Sequence, residues 1–128
     1  MPKILVVEDD ALVRDLAVEL LSELGHDLQE AGTAADAMIK ANASASSLDA
    51  LVVDIGLPDQ PGDELVRALR KAHPQIPVLI ASGGSEADLK RKFADDGRVG
   101  VVGKPYMMET LERALAALGV ASATPRES

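Results

Sequence analysis

Leu51-Val52-Val53-Asp54-Ile55-Gly56-Leu57-Pro58 decides how the rest of the chain is read. Three apolar residues, two of them β-branched, predict a short buried strand. The run stops at an aspartate, and a glycine and a proline soon after it end any ladder. Buried strands of parallel sheets are unbroken apolar runs, and open α/β sheets bind ligands beyond the carboxyl ends of their strands. Asp54 therefore falls where such a sheet does its chemistry.

Working outward, Ile4-Leu5-Val6-Val7 is a run of the same kind that stops at Glu8-Asp9-Asp10. Pro77-Val78-Leu79-Ile80-Ala81 stops at Ser82-Gly83-Gly84-Ser85, and Val99-Gly100-Val101-Val102 stops at Gly103-Lys104-Pro105. Residues 27–31 alternate weakly, as an edge strand does. Between these lie helical patterns. Leu12, Val13, Leu16, Ala17, Leu20, Leu21 and Leu24 share a helical face, with Asp10 as N-cap and Gly25 as the stop. Thr33 caps a small-residue helix carrying Ala34, Ala37, Met38 and Ala41. Leu65, Val66, Leu69 and Ala72 line a third helix that ends at His73-Pro74. A short helix from Glu86 to about Ala94 has only Ala87, Leu89, Phe93 and Ala94 to bury, and Met108, Leu111, Ala114, Leu115 and Leu118 define the last. Five strands alternating with five helices imply parallel pairing through right-handed crossovers, which brings every strand exit to one edge.

The totals agree with one α/β domain. A chain of 128 residues, 47% hydrophobic, can bury a core without disulfides or metal staples. With one Phe, one Tyr and no Trp, that core is aliphatic. The absence of cysteine excludes a disulfide framework, a thiolate metal site and a thiol nucleophile. The start Met1-Pro2-Lys3-Ile4 lacks a secretory apolar core and no stretch of about 18 apolar residues could span a membrane, so a soluble cytoplasmic protein is expected. A net charge of −8 opposes a broad nucleic-acid footprint.

The strand exits gather Glu8 and Asp9, Asp54, Ser82 and Lys104. Carboxylates crowded at a rim repel one another unless a cation holds them ionised. Hard oxygen donors point to Mg2+, with Asp9 and Asp54 as direct ligands and Glu8 acting through a bound water. Metal and ammonium flanking a carboxylate suit phosphoryl transfer, with Asp54 as nucleophile, Ser82 donating to a phosphoryl oxygen and Lys104 pairing with another. Taken singly, each residue has a plainer reading: an acidic helix cap for Glu8-Asp9-Asp10, a surface lysine for Lys104, turn chemistry for Asp54 and Ser82. Their joint placement on four strand exits favours a site. His26 and His73 are read as structural, and Lys90-Arg91-Lys92 as a solvated helix face.

From Lys3 to about Leu118 the chain resembles the receiver domain of two-component response regulators. The likeness rests on the acidic pair Glu8 and Asp9, on Asp54, on Ser82 and on Lys104-Pro105, with Pro58 and Gly62 in the loop after Asp54. It implies a flavodoxin-like, doubly wound five-stranded parallel sheet in the order 2-1-3-4-5, with five helices on both faces. It implies Asp54 as phospho-acceptor, the Gly56 backbone carbonyl as a further Mg2+ ligand, and a phosphohistidine donor on a sensor histidine kinase or histidine phosphotransfer protein. The expected role is a phosphorylation-dependent switch in a phosphorelay, acting through protein contacts or homodimerisation by the face of helix 4, strand 5 and helix 5. It is expected to catalyse only its own phosphorylation and dephosphorylation, without contacting nucleic acid or membrane.

In that family an aromatic commonly stands three residues before the strand-five lysine and couples to the strand-four hydroxyl. Val101 stands there instead, beside Ser82 as the switch position, and Tyr106 is the candidate substitute. Gly56, Gly83 and Gly84 leave the pocket sparsely walled, which predicts easy water access and a short phosphoryl lifetime. The receiver is expected over residues 1–119, with 120–128 as a flexible tail or linker stub of a stand-alone or excised domain. The competing readings are a phosphohydrolase of the haloacid dehalogenase type and a docking module that is never phosphorylated. The first wants an Asp-x-Asp nucleophile on strand one and room for a cap. The second leaves the acidic pair, Asp54 and Lys104 without a purpose. Neither Gly-x-Gly-x-x-Gly nor a Walker loop follows the first strand to support nucleotide binding.

Overall fold

The computed structural model describes residues 3–120. The chain runs β1 (Lys3–Val7), α1 (Ala11–Glu23), β2 (Asp27–Ala31), α2 (Ala34–Ser44), β3 (Ala50–Asp54), α3 (Gly62–Ala72), β4 (Val78–Ser82), α4 (Glu86–Lys92), β5 (Val99–Gly103) and α5 (Met108–Ala117). The strands form one sheet in the order β2-β1-β3-β4-β5, and every pairing is parallel. This is the expected doubly wound order.

The pleat sends alternate residues to opposite faces. Leu5, Val7, Leu51, Val53, Val78 and Ile80 pack with α2, α3 and α4. Ile4, Val6, Ala50, Val52, Leu79 and Ala81 pack with α1 and α5. β3 and β4 are buried along their whole length, because each has neighbours on both sides and helices on both faces. Asp54 and Ser82 are the last residues of these two central strands, so the sheet carries their side chains into a buried rim.

Local chemistry sets the helix ends. Asp10 accepts from the Leu12 and Val13 amides to cap α1, and Gly25 follows it at φ 90°, a left-handed conformation that glycine adopts without penalty. Thr33 caps α2 through the Asp36 amide. Asp59, in the loop after β3, reaches the same helix and accepts from the Ala34 and Ala35 amides at 2.9 and 3.1 Å. Those two backbone donors hold its carboxyl below the usual range, and the contact pins the β3–α3 loop to α2.

Several expectations need amending. On α1, Leu12 and Leu16 lie outside the core, at 81% and 39% exposure. The fourth helix ends at Lys92, and Phe93 is its C-cap. Lys92 is not simply a solvated charge: its Nζ lies 2.8 Å from Asp63 Oδ2, tying α4 to α3. Val120 belongs to the packed body and not to a tail, since it is buried against the α1/α5 layer and its amide donates to the Leu115 carbonyl at 2.9 Å. The expected tail from 121 to 128 lies outside the described residues. Finally, Val101 packs against the α2–α4 layer whereas Tyr106 is buried in the α1/α5 layer. Tyr106 therefore stands on the wrong side of the sheet to replace an aromatic at 101.

Candidate phosphoacceptor site

The exits of β1, β3, β4 and β5 converge as the topology requires. Backbone bonds fix their relative heights: Ile55 N–H donates to the Ala81 carbonyl at 3.1 Å and Lys104 N–H to the Ser82 carbonyl at 2.8 Å. Across the sheet Glu8 N–H donates to the Ala31 carbonyl at 3.0 Å, and the Arg14 guanidinium donates to the Glu8 carbonyl at 2.7 Å. The acidic turn is thus held by α1 and β2 before any ligand arrives.

Lys104 Nζ sits 2.7 Å from Asp54 Oδ1 and 2.7 Å from Glu8 Oε1. Glu8 and Asp54 are buried, at 1% and 5% exposure, so water does little to screen this triad. Glu8 meets the ammonium through Oε1, and its other oxygen accepts from the Asp10 amide at 3.3 Å. Burial raises the Glu8 carboxyl above its ordinary range, and the charge on Asp54 adds to that; the Lys104 contact and the Asp10 amide work against it. Burial alone would lower the proton affinity of Lys104, but Asp54 and Glu8 outweigh it and the ammonium is held more firmly than usual.

Asp9 is exposed, and one carboxylate oxygen from each of Glu8, Asp9 and Asp54 lies within 4.8 Å of the others. Three hard oxygen donors at that separation, one facing solvent and two against an ammonium, suit a small divalent cation. Gly56 adds no wall: a Cβ there would meet only Asp54 Oδ2, at 3.6 Å. Gly83 and Gly84 are as open, since a Cβ on either meets nothing within 4 Å. Gly62 is the reverse. A Cβ there would lie 2.5 Å from the Ile55 Cα and 2.6 Å from the Asp54 carbonyl oxygen, and its amide donates to the Ile55 carbonyl at 2.9 Å. The start of α3 is therefore pressed directly against the backbone of the acceptor residue, which only glycine permits. In the sequence Gly62 stands out only as part of the loop motif after Asp54; the close approach that requires it is a tertiary contact.

Ser82 is 1% exposed, and its hydroxyl pairs with Ser85 Oγ at 2.7 Å. Ser85 was not singled out from the sequence. The Lys104–Pro105 bond is cis, and Tyr106 beyond it is 5% exposed; burial first, then the charges of Glu8 and Asp54, raises its phenol's proton affinity. His26 and His73 lie near the strand entries, away from this edge. His26 is buried and its proton affinity is lowered by desolvation, and His73 Nε2 is 2.8 Å from Asn42 Oδ1.

Residues 4–116 match the response regulator receiver domain family. The chain belongs to that family. It is 35% identical over 116 residues to the two-component response regulator PhoP of Pseudomonas aeruginosa, covering 91% of this chain and 51% of PhoP. It is 32% identical over 108 residues to the sensor kinase CckA of Brucella abortus, covering 84% of this chain and 11% of the kinase. The chain spans about half, or much less, of the curated relatives it matches. Among solved structures, the receiver domain of the hybrid histidine kinase CckA superposes with a TM-score of 0.74 at 30% identity, covering 91% of this chain and 98% of that one. The chemotaxis protein CheY4 of Vibrio cholerae superposes with a TM-score of 0.82 at 26% identity, covering 92% and 98%.

The receiver domain is a phosphoacceptor signalling module of two-component systems. Receivers bind Mg2+ in an acidic pocket, and at the strand exits of this chain Glu8, Asp9 and Asp54 form an acidic cluster of metal-binding size. They interact with histidine kinases and phosphotransfer proteins. Among the described residues no helix is long and apolar enough to cross a membrane.

Proposed function

We propose that Asp54 is the phospho-acceptor of this receiver, with Glu8, Asp9, Ser82 and Lys104 as its working partners. The observation that carries the reading is the buried contact of Lys104 Nζ with Asp54 Oδ1 at 2.7 Å, beside an acidic cluster of metal-binding size. A carboxylate oxygen of Asp54 attacks the phosphorus of a phosphohistidine. The P–N bond breaks, the imidazole leaves and takes up a proton, and an acyl phosphate forms on Asp54. Lys104, already positioned and firmly protonated, pairs with a phosphoryl oxygen, and Ser82 donates its hydroxyl to another. Hydrolysis reverses the loading when water attacks the phosphorus and returns the carboxylate with inorganic phosphate.

Asp9 and Asp54 would hold Mg2+ directly, with the Gly56 carbonyl as a further ligand and Glu8 through water. When bound, the metal supplies positive charge against the phosphoryl oxygens. The partner that loads the site is a sensor histidine kinase or a histidine phosphotransfer protein in the cytoplasm. The output runs through protein contacts, including self-association on the face formed by α4, β5 and α5, and the chain performs no turnover beyond its own phosphorylation and dephosphorylation.

Incubation with Mg2+ and a small acyl-phosphate donor, followed by intact-mass measurement, tests this. One phosphoryl adduct is expected, lost in Asp54→Ala and on chelation of the metal. An adduct that survives Asp54→Ala would reject Asp54 as acceptor. Steady hydrolysis of phosphate esters would favour the phosphohydrolase instead.

A further inference from the structure

Ser82 Oγ lies 2.7 Å from Ser85 Oγ and also accepts the Gly84 and Ser85 amides at 3.3 and 2.9 Å. A hydroxyl has two acceptor lone pairs and one proton. The two amides fill the acceptor capacity of Ser82, so in this pair the Ser82 hydroxyl is the donor and Ser85 Oγ accepts. Ser85 is also the N-cap residue of α4, a position where serine ordinarily accepts an amide from the first helical turn. It makes no such bond, although Asp10 and Thr33 do so for α1 and α2. The capping residue is present and its oxygen is engaged with Ser82.

We propose that Ser85 is a positioning residue that holds the Ser82 hydroxyl proton while Asp54 is unphosphorylated, and that it is released to cap α4 when Ser82 donates to a phosphoryl oxygen. This rests on the reading of Asp54 as acceptor and Ser82 as its hydroxyl partner. One proton serves one acceptor at a time, so binding the phosphoryl group deprives Ser85 Oγ of its donor. The freed oxygen then stands at the N-cap, the position from which a serine accepts the N2 or N3 amide, here Ala87 or Asp88. The relay from Asp54 through Ser82 and Ser85 to α4 needs no aromatic ring, which suits a chain with Val101 at the usual aromatic position. Gly83 and Gly84, unhindered on the side a Cβ would occupy, leave the intervening turn room to adjust.

Amide hydrogen exchange at Ala87 and Asp88, read by NMR with Mg2+ alone and with an excess of the small acyl-phosphate donor, tests the relay, with intact mass establishing the adduct in each sample. In the wild type, phosphorylation slows exchange at one of these amides about fivefold, the ratio a typical N-cap corresponds to. In Ser85→Ala carrying the adduct the slowing is absent, and Ser85→Thr restores it. Equal slowing in Ser85→Ala and wild type overturns the proposal, as does an unchanged rate in phosphorylated wild type. That second comparison decides even if Ser85→Ala fails to fold. A wild type without adduct overturns the Asp54 reading together with the relay, and the mass spectrum tells the two failures apart.

Discussion

Lys104 Nζ lies 2.7 Å from Asp54 Oδ1, in a rim where Asp54 is 5% exposed. The ammonium therefore already neutralises the oxygen atoms that a metal would share, since it contacts Glu8 Oε1 at the same distance. Like charges about 4 Å apart repel by about 1 kcal/mol in water and about 4 kcal/mol near a protein surface. Replacing Lys104 by methionine keeps the stem and removes the charge. Lys104→Met is expected to bind Mg2+ roughly tenfold more tightly, equivalent to about 1.4 kcal/mol, while holding the phosphoryl group less well. With no Trp in the chain, calorimetric titration is the direct measurement, and an unchanged or weaker affinity would remove the repulsion argument.

Asp9 is exposed while its two companions in the cluster are buried, so its carboxylate can be removed without opening the core. Asp9→Ala is expected to leave metal-free stability within about 0.5 kcal/mol of wild type. Mg2+ at a hundred times its dissociation constant stabilises the wild type by about 2.7 kcal/mol, and Asp9→Ala loses most of that increment. Urea unfolding of both proteins with and without metal reads it. A full Mg2+ increment in Asp9→Ala would exclude Asp9 as a ligand.

The pH dependence separates Glu8 from the paired aspartates. Burial raises the Glu8 carboxyl above its unfolded value, so the folded state binds the proton more tightly. The stability tied to that proton is present at low pH and is lost as pH rises from about 4.5 through the folded value. Asp96 has the opposite sign. Its pairing with Arg70 at 2.7 Å lowers its carboxyl, and the resulting stability is present above about 3.8 and lost as pH falls through the folded value. Glu8→Gln removes the first dependence and keeps the second. In metal-free buffer, its stability relative to wild type is expected to grow between about pH 4 and about pH 7. A constant difference across that range would contradict a raised Glu8.

What the sequence disclosed and what it withheld divide by the range of the interaction. Asp10, Thr33 and Gly25 act on residues within one turn, and their roles were legible from spacing. The unbroken runs ending at Asp54 and Ser82 fixed the central strands, because only a strand covered on both faces is apolar throughout. Contacts between distant segments carry no such period. Nothing in the spelling of Asp59 announces the Ala34 and Ala35 amides, twenty-five and twenty-four residues away, and nothing in Lys92 announces Asp63. The aliphatic Val120 was legible only as the end of a pattern, yet its burial depends on how α5 lies on α1. Ser85 was hidden differently. Its cap position could be read from Ser85-Glu86-Ala87-Asp88, but its engagement by Ser82 depends on how the β4–α4 turn folds back.

Two glycines beside the acceptor are expected to respond in opposite ways. A Cβ at Gly56 makes only an ordinary 3.6 Å contact with Asp54 Oδ2, so a larger side chain is accommodated and covers the open side of the acyl phosphate. Gly56→Met is expected to keep the wild-type stability within about 1 kcal/mol and to lengthen the dephosphorylation half-life several-fold. At Gly62 a Cβ falls 2.5 Å from the Ile55 Cα and 2.6 Å from the Asp54 carbonyl oxygen. Both are backbone atoms, which cannot rotate aside as a side-chain tip can. Gly62→Ala is therefore expected to cost about 2 to 3 kcal/mol through overpacking and to slow phosphorylation by displacing Asp54. Urea unfolding and the decay of the phosphoryl adduct by intact mass measure the two effects. A half-life unchanged in Gly56→Met would show that water access at this side does not limit hydrolysis, and a Gly62→Ala protein as stable as wild type would show that the α3 start can retreat from β3 at little cost.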